Sequence, residues 1–173
     1  MSSILAATLA ASAMAATGLP AEERRRDAPP AMSAVSSDRL TLIPSGADEA
    51  PAPEASFSGT VRLSGLYQAE GPARIGGATV SFSAGARTAW HSHPLGQTLF
   101  IVAGHGLVQK QGEAALRVGP GDVVFIPPQV RHWHGAVENE GMIHFAVAEA
   151  LDGTAVTWAE KVSDADYAEA ARR

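Results

Sequence analysis

The sequence predicts an all-β sandwich or barrel, one domain behind an N-terminal extension. Three observations carry that prediction. From about Phe57 onward, short apolar runs alternate with glycine, proline and polar turns. Glycine (17) and proline (11) make up about 16% of the chain, above the ~12% of an average protein, an excess that favours turns over a helix bundle. Only the tail, Asp164 to Arg173, has helical composition. A chain of 173 residues with 46% apolar content suits a single domain with a real core.

The elements follow in order. Ile4 to Ala16 is alanine-rich and mildly apolar, with Ala13-Met14-Ala15 as a possible cleavage tripeptide. No Lys or Arg precedes it, so it reads either as a signal-peptide core or as an alanine-rich tail. The protein is accordingly cytoplasmic, or periplasmic or secreted if residues 1–15 are a leader. Glu22 to Asp27 is a solvated charge cluster, and Ala28 to Glu54, rich in Pro, Ala and Ser, is expected to be a disordered linker. The extension therefore spans residues 1–55 and the domain residues 56–173. Within the domain, Thr60 to Leu66, Gly77 to Phe82, Thr98 to Val102, Leu107 to Gln111, Ala115 to Val118, Val123 to Ile126 and Ile143 to Ala148 read as strands. Gly104-His105-Gly106, Gly119-Pro120-Gly121-Asp122 and Pro127-Pro128 mark the turns between them.

Charge and composition exclude several functions. The net charge is −5 and only two lysines are present, Lys110 and Lys161, so a nucleic-acid partner is not expected. The absence of cysteine excludes disulfides, thiolate metal sites and cysteine nucleophiles. No apolar run reaches the ~20 residues needed to span a bilayer.

All six histidines, His91, His93, His105, His132, His134 and His144, lie between residues 91 and 144. His91 and His93 are two apart, and so are His132 and His134. Side chains two apart on a strand share a face, so each pair can point at one ion. The amide oxygen of Gln97 can add a hard ligand. Imidazoles with an oxygen ligand suit Mn(II), Fe(II), Co(II), Ni(II) or Zn(II).

Two motifs here resemble those of the cupin superfamily. The first runs Gly85, His91, His93, Gln97, Gly104, with Gln97 where the family usually has Glu. The second runs Gly121, Pro127, His132, with Gln129 and Ala136 in place of the usual Gly and Asn. The stretch from Gly85 to Gln97, with Gly121 to Val124 and His132 to Ala136, is similar to small bacterial single-domain cupins called hydroxynitrile lyase-like, or carboxymuconolactone decarboxylase-associated. The likeness runs from about Phe57 to the tail, Leu151 to Gly153 and Trp158 included. It implies a jelly-roll barrel (a double-stranded β-helix) with a short C-terminal helix. It implies Mn2+, with Fe2+, Zn2+, Ni2+ and Co2+ as alternatives, on His91, His93, Gln97 and His132. Replacing Glu by Gln97 removes a negative charge, which should make the ion a stronger Lewis acid held less tightly. The implied activity is cleavage of cyanohydrins to an aldehyde and HCN, or the reverse addition. Thr88, His134 and His144 would face the substrate, with His134 as base, and Ala78, Val80 and Ala148 would line the pocket. A homo-oligomer, dimer or tetramer, is also implied.

Other residues are expected to be structural. His105 belongs to an exposed turn, and Asp122 caps its own turn. Trp90 and Trp133 point away from the histidines into packing. Arg87 is expected to be exposed, and Leu99, Ile101, Val123 and Phe125 to be core. The competing functions are another metallocupin enzyme, such as a dioxygenase or isomerase, and a non-catalytic small-molecule-binding module.

Overall fold

The computed structural model describes residues 33–35, 39–46 and 48–172. The alanine-rich run and the Glu22 to Asp27 cluster lie outside them. The strands are β1 (Ser33–Val35), β2 (Ala50–Pro51), β3 (Phe57–Ser58), β4 (Val61–Ala69), β5 (Ile75–Phe82), β6 (Arg87–Ser92), β7 (Gln97–Gly104), β8 (Gly106–Lys110), β9 (Leu116–Val118), β10 (Val123–Ile126), β11 (His132–Ala136), β12 (Met142–Glu149) and β13 (Thr157–Lys161). One helix, α1 (Asp164–Arg172), follows. All seven strand segments expected from the apolar runs are present, within a few residues of their expected bounds.

The strands form two sheets. One has the order β1-β4-β5-β12-β7-β10, with β2 also on β4; the other has the order β13-β6-β11-β8-β9, with β3 also on β6. Every pairing is antiparallel except that of β1 with β4. The sheets face each other across a core that includes Phe57, Val61, Phe82, Leu99, Ile101 and Met142. This is the all-β jelly-roll architecture expected, with the short C-terminal helix.

The expected linker ends before residue 55. Ala50 and Pro51 pair with Leu63 and Arg62 of β4. The Asp48 carboxylate accepts hydrogen bonds from the Gly65 and Leu66 amides at 2.8 and 3.1 Å, which hold its pKa below the usual carboxylate value. These polar contacts satisfy a sheet edge, which hydropathy alone does not reveal.

Two further expectations are corrected. Val123 and Phe125 are not core: they are 59% and 66% exposed, because β10 is an edge strand whose opposite face carries the buried Ile126. Leu99 and Ile101 are buried as expected. Arg87 is not exposed but only 7% accessible. Its guanidinium donates to the Val162 carbonyl, pairs with Asp164 at the start of α1, and lies 4.7 Å from the Tyr167 ring centroid. Tyr167 in turn donates to the Ala136 carbonyl at 2.8 Å. Ser163 caps the helix by accepting from the Asp166 amide. The helix is thereby fastened over Trp90, Leu107 and Trp133 on the outer face of the six-stranded sheet. The two tryptophans pack away from the histidines, as expected.

Opposite Arg87 on β11 stands Gly135, where a Cβ would come within 2.5 Å of the Ala86 carbonyl oxygen and 2.6 Å of the Arg87 Cβ. The close approach of β6 and β11 depends on that missing side chain. Their register also shifts: His132 pairs with His91 and Gly135 with Arg87, four steps on β6 against three on β11. Such a bulge re-aims side chains. It lets Thr88 and His91, an odd number of residues apart, face the same interior.

Arg87→Met should lower unfolding stability by roughly 2–4 kcal/mol in urea denaturation, since it removes buried charge-assisted hydrogen bonds and orphans a carbonyl. Asp164→Asn, whose side chain is fully exposed, should leave the urea midpoint close to that of the wild type.

Candidate metal centre and adjoining cavity

His91 in β6, His93 just beyond it and His132 at the start of β11 come together between the sheets. One ligand-capable nitrogen from each lies within 4.8 Å of the others. Each ring is oriented from behind. The Nδ1 of His91 is 2.9 Å from the Ala89 carbonyl oxygen, that of His132 is 2.9 Å from Val130, and that of His93 is 2.7 Å from Ala155. A carbonyl can only accept, so each Nδ1 carries the proton and each Nε2 presents a lone pair. The Nε2 of His93 is buried with no protein partner. The Nε2 of His132 faces Oε1 of Gln97 at 3.2 Å. Bare acceptors converging in a buried place are what a cation reconciles, so this group fits a metal ion.

Burial keeps these rings neutral. Desolvation is the largest influence on all three: it holds His91 well below the ordinary imidazole value, lowers His93, and brings His132 to about 4. A neutral imidazole is the form that binds metal.

Beside this group is a histidine pair drawn from both sheets. His144 of β12 places Nε2 at 3.1 Å from Nδ1 of His134 in β11. One nitrogen of the contact carries a proton and the other accepts it. The outer nitrogens, Nε2 of His134 and Nδ1 of His144, are buried without partners. Desolvation brings His144 to about 3 and holds His134 well below its ordinary value, with repulsion from His144 adding to it. The Thr88 hydroxyl accepts from the His134 amide at 3.2 Å, which leaves its own proton to donate elsewhere.

A cavity of about 270 Å³ opens on these groups. Its polar lining includes Thr88, His91, His93, Gln97, His134 and His144, and its apolar walls include Val80, Leu63, Ala146, Phe57 and Trp158. A proton can pass between the paired imidazoles across their 3.1 Å contact.

The chain is similar to known proteins over much of this domain. Residues 78–148 match the model of the cupin domain. The chain is 53% identical over 111 residues to the (R)-mandelonitrile lyase of Granulicella tundricola, a match that covers 64% of this chain and 85% of that protein. The chain belongs to the cupin family. Its fold is similar to that of a solved cupin-like protein from Thermotoga maritima, with a TM-score of 0.66, 32% identity, and coverage of 77% of this chain and 97% of that one. It is also 30% identical over 67 residues to the acireductone dioxygenase of Bacillus pumilus, covering 36% of this chain and 38% of that protein.

In this cupin the motif residues sit where their spacing suggested, and several others do not. Val80 lines the cavity, but Ala78 and Ala148 are not among its wall residues. Ala148 borders a separate hollow near Leu95 and Thr98. The wall on β12 is instead Ala146, one strand repeat nearer to His144. Phe57, Val156 and Trp158 form walls that no periodic pattern marks, because they come from short strands or loops at the sheet margin. His105 is exposed and pairs with Glu140, and the Asp122 carboxylate accepts from the Gly119 amide at 2.8 Å, both away from the centre.

The depressed imidazole pKa values set a pH dependence. Unfolding exposes the rings to water, where their pKa returns to about 6.5, so the unfolded chain takes up protons that the folded one refuses. The metal-free protein should have constant stability from these groups above about pH 7. Below about pH 6.5 it should lose up to ~1.4 kcal/mol per pH unit per buried imidazole, continuing toward pH 3–4. Urea midpoints measured from pH 8 to pH 5 check this; a midpoint that rises on acidification would contradict it.

Proposed function

We propose that this cupin is a metal-dependent hydroxynitrile lyase, cleaving cyanohydrins such as mandelonitrile to an aldehyde and HCN or running the reverse addition. The observation that carries the proposal is the neutral His134–His144 pair, buried in an apolar cavity beside three imidazoles able to hold a metal. The similarity to the Granulicella tundricola lyase supports the same reading.

In this proposal His91, His93, His132 and Gln97 hold the ion, with Mn2+ preferred. Once bound, the ion supplies Lewis acidity that favours loss of a proton from a substrate hydroxyl. His134 accepts that proton on Nε2 while its Nδ1–H points to His144. The carbonyl forms as the carbon–carbon bond breaks, and its electron pair departs on cyanide. His134 then gives that proton back from Nε2 to cyanide, forming HCN, and the pair is restored with its Nδ1–H still directed to His144. Thr88 donates its free hydroxyl proton to the nitrile nitrogen. Val80, Ala146, Leu63 and Trp158 surround the carbon substituent. A neutral base suits the reaction, because burial keeps His134 unprotonated well into mildly acidic solution.

The alternative is an oxygen-dependent metallocupin reaction, favoured only by the similarity to the acireductone dioxygenase. Full activity under anaerobic conditions separates the two.

Benzaldehyde release from mandelonitrile at mildly acidic pH tests the proposal. Manganese-loaded protein should release it above background. Metal-stripped protein and His132→Ala should not. His134→Ala should lose about 10²–10⁴-fold in kcat, the usual contribution of a positioned base. Thr88→Val should lose roughly tenfold, about 1.4 kcal/mol of transition-state stabilisation. No release from fully loaded wild type would overturn the lyase reading.

A further inference from the structure

A second cavity reaches the metal centre by a different wall. It has a volume of about 200 Å³ and is lined by His132, a residue absent from the walls of the histidine-lined cavity. The two cavities have no wall residue in common. The second one lies where the sheets run out, since β10 ends one and β9 the other. Val108 of β8, Ile126 of β10 and His132 are its buried lining, each at most 4% exposed. Leu116 and Phe125, 60% and 66% exposed, stand at its mouth. Among the described residues, the charged ones that line it, Lys110 and Glu113, pair with each other. An ion would lose hydration there without a counter-charge, so the lining suits an uncharged molecule. An apolar cavity of about 150 Å³ holds a benzene ring, so this one has room for a single ring with a small substituent.

Two of the lining residues set the aim of a metal-capable nitrogen. The Val130 carbonyl oxygen takes the Nδ1 proton of His132 at 2.9 Å, and Nε2 of the same ring faces Gln97 at 3.2 Å. Val130 belongs to the turn between β10 and β11, and that turn is strained. Gln129 has a φ of 64°, a left-handed conformation that residues other than glycine seldom adopt. Such a residue persists only where its surroundings hold it. Its amide donates to the His93 carbonyl at 2.9 Å, so the turn bears on two of the three metal-capable histidines. An apolar molecule packed on Val130 and His132 adds the dispersion contacts that an empty hollow lacks and holds the turn in this arrangement.

We propose that this cavity is a second ligand site for one uncharged, single-ring molecule, and that its occupancy strengthens metal binding through Val130 and His132. By linkage, the metal strengthens binding of the ring by the same factor. Such coupling requires the metal centre described above but not the reaction proposed for it.

Toluene is the probe. Titrated into the full chain loaded with zinc, which is diamagnetic, it should shift the methyl NMR signals of Val108, Val124 and Val130 saturably. Val124→Phe, which fills the hollow, should abolish the shifts at Val108 and Val130. Val80→Phe, which fills the histidine-lined cavity instead, should leave them in place. If Val124→Phe does not fold, Leu116→Asp replaces it, since this residue is exposed at the mouth, and its carboxylate should weaken toluene binding several-fold. No saturable shift, or shifts confined to the methyls of Val80 and Leu63, overturns the site. Calorimetric titration of zinc into the metal-free full chain tests the coupling. Saturating toluene should tighten zinc binding about fivefold or more in the wild type and leave it unchanged in Val124→Phe. Equal or weaker zinc affinity with toluene bound at Val124 and Val130 overturns the coupling.

Discussion

Burying five imidazoles in one place between two sheets is the constraint that the rest of this structure serves. A charged imidazole there would have to shed its hydration with no carboxylate among the described residues lining the cavity to compensate, so the rings stay neutral. A neutral ring offers one donor and one acceptor, and each must be accounted for. The backbone answers for three of them. Carbonyls of Ala89, Val130 and Ala155 take the Nδ1 protons of His91, His132 and His93. That choice of tautomer leaves the opposite nitrogens bare and aimed inward. The remaining two rings satisfy one nitrogen each against the other, and their outer nitrogens stay without partners. The site is therefore built as much from backbone carbonyls as from side chains.

The strand geometry that delivers these rings is held from outside the barrel. β6 supplies both Thr88 and His91 to the interior only because its register slips against β11. The same strand sends Trp90 and Arg87 outward, where Arg87 ties down the start of α1 and Tyr167 reaches back to Ala136 of β11. The helix thus grips the two strands that carry His91, His132 and His134. A side chain expected to be a free surface cation turns out to brace the wall behind the site. The seam between β6 and β11 also explains Gly135, since any Cβ there would collide with Ala86 and Arg87.

The asymmetry of the sheets gives each a separate role. The six-stranded sheet is closed off by its helix. The other contributes Val80, Ala146 and His144 to the cavity on one side, while apolar side chains such as Phe100 and Phe125 are exposed among the described residues on its opposite side. The histidine pair bridges the sheets, so the 3.1 Å contact between His134 and His144 depends on how closely they pack. Phe82 packs against both rings and keeps that distance short.

Much of this was legible in the residue order. Alternating apolar runs with glycine and proline turns specify strands locally, and a spacing of two puts His91 with His93 and His132 with His134 on shared faces, because strand periodicity is a short-range property. The motif residues could therefore be named before any coordinates. Alternation alone, however, would put Thr88 and His91 on opposite faces, and only the bulge between paired strands reverses that. Burial likewise depends on neighbours far away in the chain. Val123 and Phe125 have core composition but belong to an edge strand, while Arg87 has surface composition but lies beneath a helix some 75 residues later. The aromatic walls Phe57 and Trp158 join the cavity from opposite ends of the domain. The sequence by itself determined which residues form strands and which can bind a metal, since backbone preference and side-chain chemistry are local. Which of them meet, which face water and which nitrogens stay bare was decided by the tertiary structure, since those depend on register and desolvation.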